Sequence, residues 1–142
     1  MKSKIFFFFQ EKAASLKERA RLKHFIGALF QKEGFELLSL NVVFCSDEYL
    51  LTINKTYLKH NTYTDIITFL LSEPKKPIEA ELYISVARVK ENAISLDVSL
   101  KKELHRVVFH GCLHLCGYND KSSQEIISIR KAEDDYLRSY LK

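Results

Sequence analysis

Two histidines four residues apart, His110 and His114, stand in the stretch HGCLHLCGYND, with a carboxylate, Asp120, six residues beyond the second. On a helix turning about 100° per residue the second histidine lies about 40° around from the first, so both imidazoles leave one face a turn apart. Such a pair can grip one metal ion. Gly117 then tolerates the left-handed backbone of a helix C-cap, which turns the chain back and carries Tyr118, Asn119 and Asp120 toward the imidazoles. Three protein donors leave one coordination position open, which is the habit of catalytic rather than structural zinc. The expectation is one zinc ion per chain, held by His110, His114 and Asp120.

Core histidines with satisfied ring nitrogens would also suit the apolar segment VVFHGCLHLCG, but that account gives no reason for a carboxylate after the turn. Cys112 lies on the opposite side of the helix from both histidines, and Cys112 and Cys116 are read as packing residues. Three cysteines without paired spacing fit a reducing compartment. Zinc proteases of the HExxH type carry a glutamate after the first histidine to activate water; here that position is Gly111, so peptide hydrolysis is disfavoured. Gly111 itself has two readings, close helix packing or room for a substrate backbone beside the ion.

The elements that must position these residues follow from periodicity. With 142 residues, 46% of them hydrophobic, the chain is long enough for one cored domain, taken as 1–142. MKSKIFFFFQ reads as a first strand, its apolar run being too short for a signal peptide, and Leu22, Phe25, Ile26, Leu29 and Phe30 mark a helix over about Leu16 to Glu33. Phe35 to Phe44 reads as a second strand, and Ser46 or Asp47 caps a short helix carrying Leu50, Leu51, Ile53 and Tyr57. Further strands begin at Thr64 (TDIITFLL) and Glu81 (ELYISV), with SEPKKPIE as the turn between them. Arg88 to Leu96 reads as a helix, Ser99 caps the metal helix, and Ser122 with Glu125 forms a capping box for the last one. Strands first and helices mostly later argue an α+β domain with about four strands.

Glu103 and Arg106 share the metal face of their helix, where an exposed salt-bridged pair is the expected reading. Asp65 either braces the start of its strand or orients a metal histidine from outside. A net charge of +4 agrees weakly with a polyanionic partner. No apolar stretch approaches the roughly 20 residues that span a bilayer, and a cytoplasmic protein is expected.

HGCLHLCGYND resembles the HGxLHLxGYDH signature of the YbeY family of bacterial ribosomal-RNA maturation endoribonucleases. INKTYLKHNTYTDIITF, residues 53–69, is similar to that family's LNxxYRxxDxxTDVLSF segment, and AELYIS, residues 80–85, to its GDIxIS strand. The resemblance implies one α+β domain, one zinc ion held by three side chains, and cleavage of single-stranded RNA or end maturation of ribosomal RNA in association with the ribosome. Two positions depart from the pattern: Asp120 stands where the family has its third histidine, and Leu58 where it has an arginine. Lys59, His60 and Arg88 are the candidates for holding substrate phosphate in its place, although each also reads as an ordinary solvated residue. The general acid and base stay unassigned. The alternative function is a metal-stabilised RNA-binding or ribosome-assembly module with little catalysis.

Overall fold

The computed structural model describes residues 4–10, 16–60 and 62–142. In chain order these form β1 (Ile5–Phe9), α1 (Arg19–Lys32), β2 (Leu37–Cys45), α2 (Asp47–Tyr57), β3 (Ile66–Leu70), β4 (Ile78–Ser85), α3 (Val86–Leu96), α4 (Leu100–Leu115) and α5 (Ser123–Tyr140). Residues 1–3, the start of the expected first strand, lie outside the described residues.

The described strands make one sheet in the order β1-β2-β4-β3. β1 pairs parallel to β2 and β2 parallel to β4, because each return to the same direction runs through a helical crossover, whereas β3 meets β4 antiparallel. Register places Leu40, Val42 and Phe44 of β2 opposite Ala80, Leu82 and Ile84 of β4, and all six are buried. Alternation therefore turns this set to one face, where Leu22, Ile26, Leu29 and Phe30 of α1 and Val108, Phe109, Cys112 and Leu113 of α4 join the same core. Cys45, Leu50, Ile53 and Ile67 form a smaller cluster between α2 and the sheet. The result is the expected α+β domain with a small mixed sheet and helices around it.

Gly111 resolves in favour of close packing. A Cβ there would stand 2.7 Å from Ile66 Cδ1 and 2.9 Å from Leu82 Cδ2, so its absence lets α4 approach the sheet. Cys112 is fully buried and Cys116 nearly so, in agreement with a packing role, and burial pushes the Cys116 thiol up to about 12.

Several boundaries differ from the sequence expectation for local reasons. α1 begins at Arg19 rather than Leu16, because Glu18 takes a left-handed conformation (φ 58°) that a helix cannot continue through. β4 begins at Ile78, inside the expected turn, because Ile78 pairs with Leu37 and buries its side chain. α3 begins at Val86, two residues early, because Ser85 ends the strand and also caps the helix, its hydroxyl accepting from Arg88 N at 3.2 Å. Ser46, Ser99 and Ser122 cap α2, α4 and α5 as expected, the last with its reciprocal Glu125 bond.

Candidate metal centre

His110 and His114 project from the last turns of α4 with ring centroids 5.9 Å apart. Beyond α4, Gly117 adopts φ 97° and reverses the chain. The reversal brings the Tyr118 carbonyl back to accept a hydrogen bond from His114 Nδ1 at 2.6 Å. A carbonyl oxygen only accepts, so Nδ1 carries the proton and the Nε2 of neutral His114 keeps a bare lone pair. The turn is anchored in its own right. The Tyr118 hydroxyl donates to Glu33 Oε1 at 3.1 Å, and Tyr136 donates to the other oxygen of the same carboxylate at 2.5 Å.

On the other histidine, Nδ1 lies 2.6 Å from Glu133 Oε2 on α5, and Nε2 lies 3.6 Å from Asp120 Oδ2. Two donors each about 2.1 Å from a tetrahedral zinc stand about 3.4 Å apart, so the His110–Asp120 gap is the span of two ligands sharing one ion. Two imidazole nitrogens and one carboxylate form an ordinary zinc donor set with a position left over. Among the described residues no three or more His, Cys, Asp or Glu side chains are already gathered as a complete metal site. The pair at ligand spacing is His110 with Asp120, so closing the set falls to the His114 imidazole, whose ring centroid lies 5.9 Å from that of His110. The donor chemistry thus fits zinc, with one ligand pair at spacing and the third donor one helical turn away.

His110 and Asp120 open on a cleft of about 270 Å³ that is also lined by Asp65, Arg106, Val107, Ile126, Ile129 and Arg130. Lys59, His60 and Arg88 are not among its lining residues. Lys59 and His60 are exposed on the loop after α2, which is held by Asn54: its carbonyl accepts from His60 N at 3.1 Å and its side chain donates to Thr62 O at 2.8 Å. The Arg88 guanidinium is engaged by Asp47, 3.1 Å from Nε, and stacks 4.6 Å over the Tyr63 ring. Asp65 accepts from Ser85 N through its carbonyl and from Asn92 through its carboxylate at 3.1 Å, so its visible bonds brace the strand start.

The expectation of an exposed Glu103–Arg106 pair is corrected. Glu103 is 1% exposed, and Arg106 lies between it and an equally buried Glu133, donating to Glu133 Oε1 at 3.0 Å. Helical periodicity placed the pair on the metal face correctly, but whether α5 covers that face is a tertiary matter. Residue type does not single out Glu133 within the charged run KAEDDY. A signal was available: Ile129, Glu133, Tyr136 and Tyr140 recur at helical spacing, placing one carboxylate within an apolar stripe.

Residues 8–141 match the family model described as Endoribonuclease YbeY. The chain is 47% identical over 133 residues to Endoribonuclease YbeY of Cytophaga hutchinsonii, covering 94% of this chain and 93% of that protein. It is 40% identical to the protein of the same name from Amoebophilus asiaticus, with 96% and 92% covered. The solution structure of TM1509 from Thermotoga maritima matches with a TM-score of 0.66 and 25% identity, over 96% of this chain and 88% of that one. By the extent of the family match and the identity to these relatives, this chain belongs to the Endoribonuclease YbeY family.

Proposed function

We propose that this chain is a zinc-dependent endoribonuclease that cleaves single-stranded RNA in ribosomal-RNA maturation, acting in the cytoplasm on RNA of the ribosome. The observation that carries the zinc reading is the histidine pair. Both Nδ1 atoms are engaged by protein oxygens, Nε2 is left for an ion, and Asp120 stands 3.6 Å from one of them. RNA as substrate rests on the relatives, which are named as endoribonucleases. No described helix is long and apolar enough to cross a membrane.

His110, His114 and Asp120 are the proposed ligands. Zinc held there would supply Lewis acidity for activating water and for offsetting negative charge on a phosphate. The chain supplies the rest. Tyr118 O holds His114 in the ligating tautomer, and the turn from Gly117 to Asp120 sets the approach of the third ligand. Of the two guanidiniums in the cleft, Arg106 is offset by Glu103 and Glu133, whereas Arg130 is exposed and has no carboxylate partner among the described residues. Arg130 is therefore the proposed contact for substrate phosphate within the cleft. Lys59, His60 and Arg88 are retained as contacts for more distant parts of the strand.

Chelation tests the reading: purified protein cleaves single-stranded RNA, stops with chelator and resumes with added zinc. RNA binding that persists with chelator while no cleavage is ever seen would favour the RNA-binding module instead. Arg130→Ala is expected to raise KM about tenfold and to lower the slope of log affinity against log salt by about 0.7, the value for one phosphate contact on a single strand. An unchanged salt slope removes Arg130 from the phosphate path.

Proton competition gives a further expectation. Burial opposes a charge on His110, but the bond to Glu133 and the nearby Asp120 outweigh it, and its pKa is raised above the ordinary imidazole value. Zinc binding is thus expected to weaken, as pH falls, earlier than for an ordinary histidine site. In the metal-free chain the sign is opposite. The imidazolium adds stability that is complete below the unfolded pKa and is lost as pH rises through the raised folded pKa. Melting temperatures of metal-free and zinc-loaded protein, measured across this window, should move in opposite directions with pH.

A further inference from the structure

Two carboxylates with about 1% exposure are costly to hold charged, and one guanidinium does not balance them. Arg106 donates through Nε to Glu103 Oε1 at 2.8 Å and through a second nitrogen to Glu103 Oε2, which already satisfies Glu103 with a two-pronged bond. Its remaining bond, to Glu133 Oε1 at 3.0 Å, leaves Glu133 Oε2 directed at His110 Nδ1, 2.6 Å away. One oxygen of Glu133 is therefore left for the imidazole of His110, which faces Asp120 across the cleft. A lattice serving only to tie α5 to α4 would need Glu103, Arg106 and any uncharged partner.

We infer that Glu133 is a positioning residue for the metal site: clamped by Arg106, it holds the Nδ1 proton of His110 and so directs the Nε2 lone pair at the ion. The inference rests on the zinc reading of His110 given above. Its chemistry is that of a carboxylate behind a ligating histidine, which fixes ring orientation and raises ligand basicity. Because Glu133 belongs to α5, 23 residues from His110, zinc affinity depends on how that last helix is docked. By linkage, zinc in turn strengthens the docking of α5.

Glu133→Gln separates positioning from support. Its amide presents one oxygen and one NH₂ group. If the NH₂ group faces Arg106, donor meets donor; if it faces His110, it favours the tautomer with the proton on Nε2, where the ion must bind. Glu103→Gln perturbs the same buried lattice at an equally buried carboxylate that does not touch His110. The full-length chain and both variants are titrated with zinc against a competing chelator, alongside His110→Ala. Histidine tautomers of the metal-free proteins are read by ¹⁵N NMR at alkaline pH.

Glu133→Gln is expected to weaken zinc binding about 10- to 100-fold, with His110 shifted away from the Nδ1–H tautomer where the amide NH₂ faces it, and Glu103→Gln to lose less than about threefold. Equal zinc losses in the two variants, or zinc affinity and His110 tautomer both unchanged in Glu133→Gln, would overturn the inference and leave a purely structural lattice. Should Glu133→Gln not fold, Glu133→Asp makes the same comparison, since it keeps the charge but withdraws the carboxylate by one methylene. Zinc uptake that is identical in the parent and His110→Ala would mean that the metal reading itself has failed; in that case the tautomer measurement alone decides whether Glu133 orients His110.

Discussion

A His114→Ala chain, purified beside the parent, takes up no stoichiometric zinc and cleaves single-stranded RNA no faster than the chelated parent. The side chain removed contributes one hydrogen bond to the fold, from Nδ1 to Tyr118 O, worth about 1 kcal/mol, so the variant should fold and give the circular dichroism of the parent. Loss of one preorganised donor costs a catalytic site roughly 10²–10³ in rate, and loss of a metal ligand removes the ion together with everything it polarises. A fall of at least about a thousandfold follows. Parallel preparation matters, because a trace nuclease contaminant would survive the substitution unchanged. Metal analysis on the same samples links the two readouts: cleavage at parental rate in a folded His114→Ala chain would remove this histidine from the reaction.

The second large effect belongs to Gly111, and a graded series reads it. Gly111→Ala would place a Cβ 2.7 Å from Ile66 Cδ1 and about as close to both terminal methyls of Leu82, the outer ends of flexible side chains. Their adjustment is offset by the helix preference of alanine over glycine, about 1 kcal/mol, so a small net change is expected. Gly111→Leu must drive further carbons into the space of Leu82, which is fully buried and has nowhere to go. Overpacking of this kind costs about 3 kcal/mol, a lowering of the melting temperature by roughly 6–12 °C for a chain of this size. Cleavage by folded Gly111→Ala should stay near that of the parent. If Gly111→Ala melts like the parent yet has lost cleavage, the glycine serves the substrate and the packing account fails.

The His114 ring is held by the Tyr118 carbonyl at the end of α4, whereas Gly111 is buried against Leu82 and Ile66 on the sheet side. The helix stands between two jobs, and the hydrophobic core fixes where its histidines point.

Much of this was legible along the chain because it depends on neighbours in sequence. The helix caps at Ser46, Ser99 and Ser122, the turn at Gly117 and the shared face of His110 and His114 follow from one or two turns of backbone, within which side-chain direction is set by helical geometry. The opposite placement of Cys112 follows for the same reason. The family resemblance was carried by three segments in order, and it extends over residues 8–141.

What only the tertiary structure decided involves groups brought together from far apart. Parallel pairing of β1, β2 and β4 depends on where the crossover helices lie, which no local period encodes. Glu103 and Arg106 read as a solvated pair until α5 covers them, because exposure belongs to the packed molecule and not to a residue type. Glu133 reaches His110 from a different helix, and its role arises from a 2.6 Å contact between residues 23 apart. Sequence spacing could nominate the donors that share a helix face, since the backbone alone places them. Which carboxylate stands behind His110, and which cleft guanidinium is left without a carboxylate partner among the described residues, was decided when α5 closed over α4.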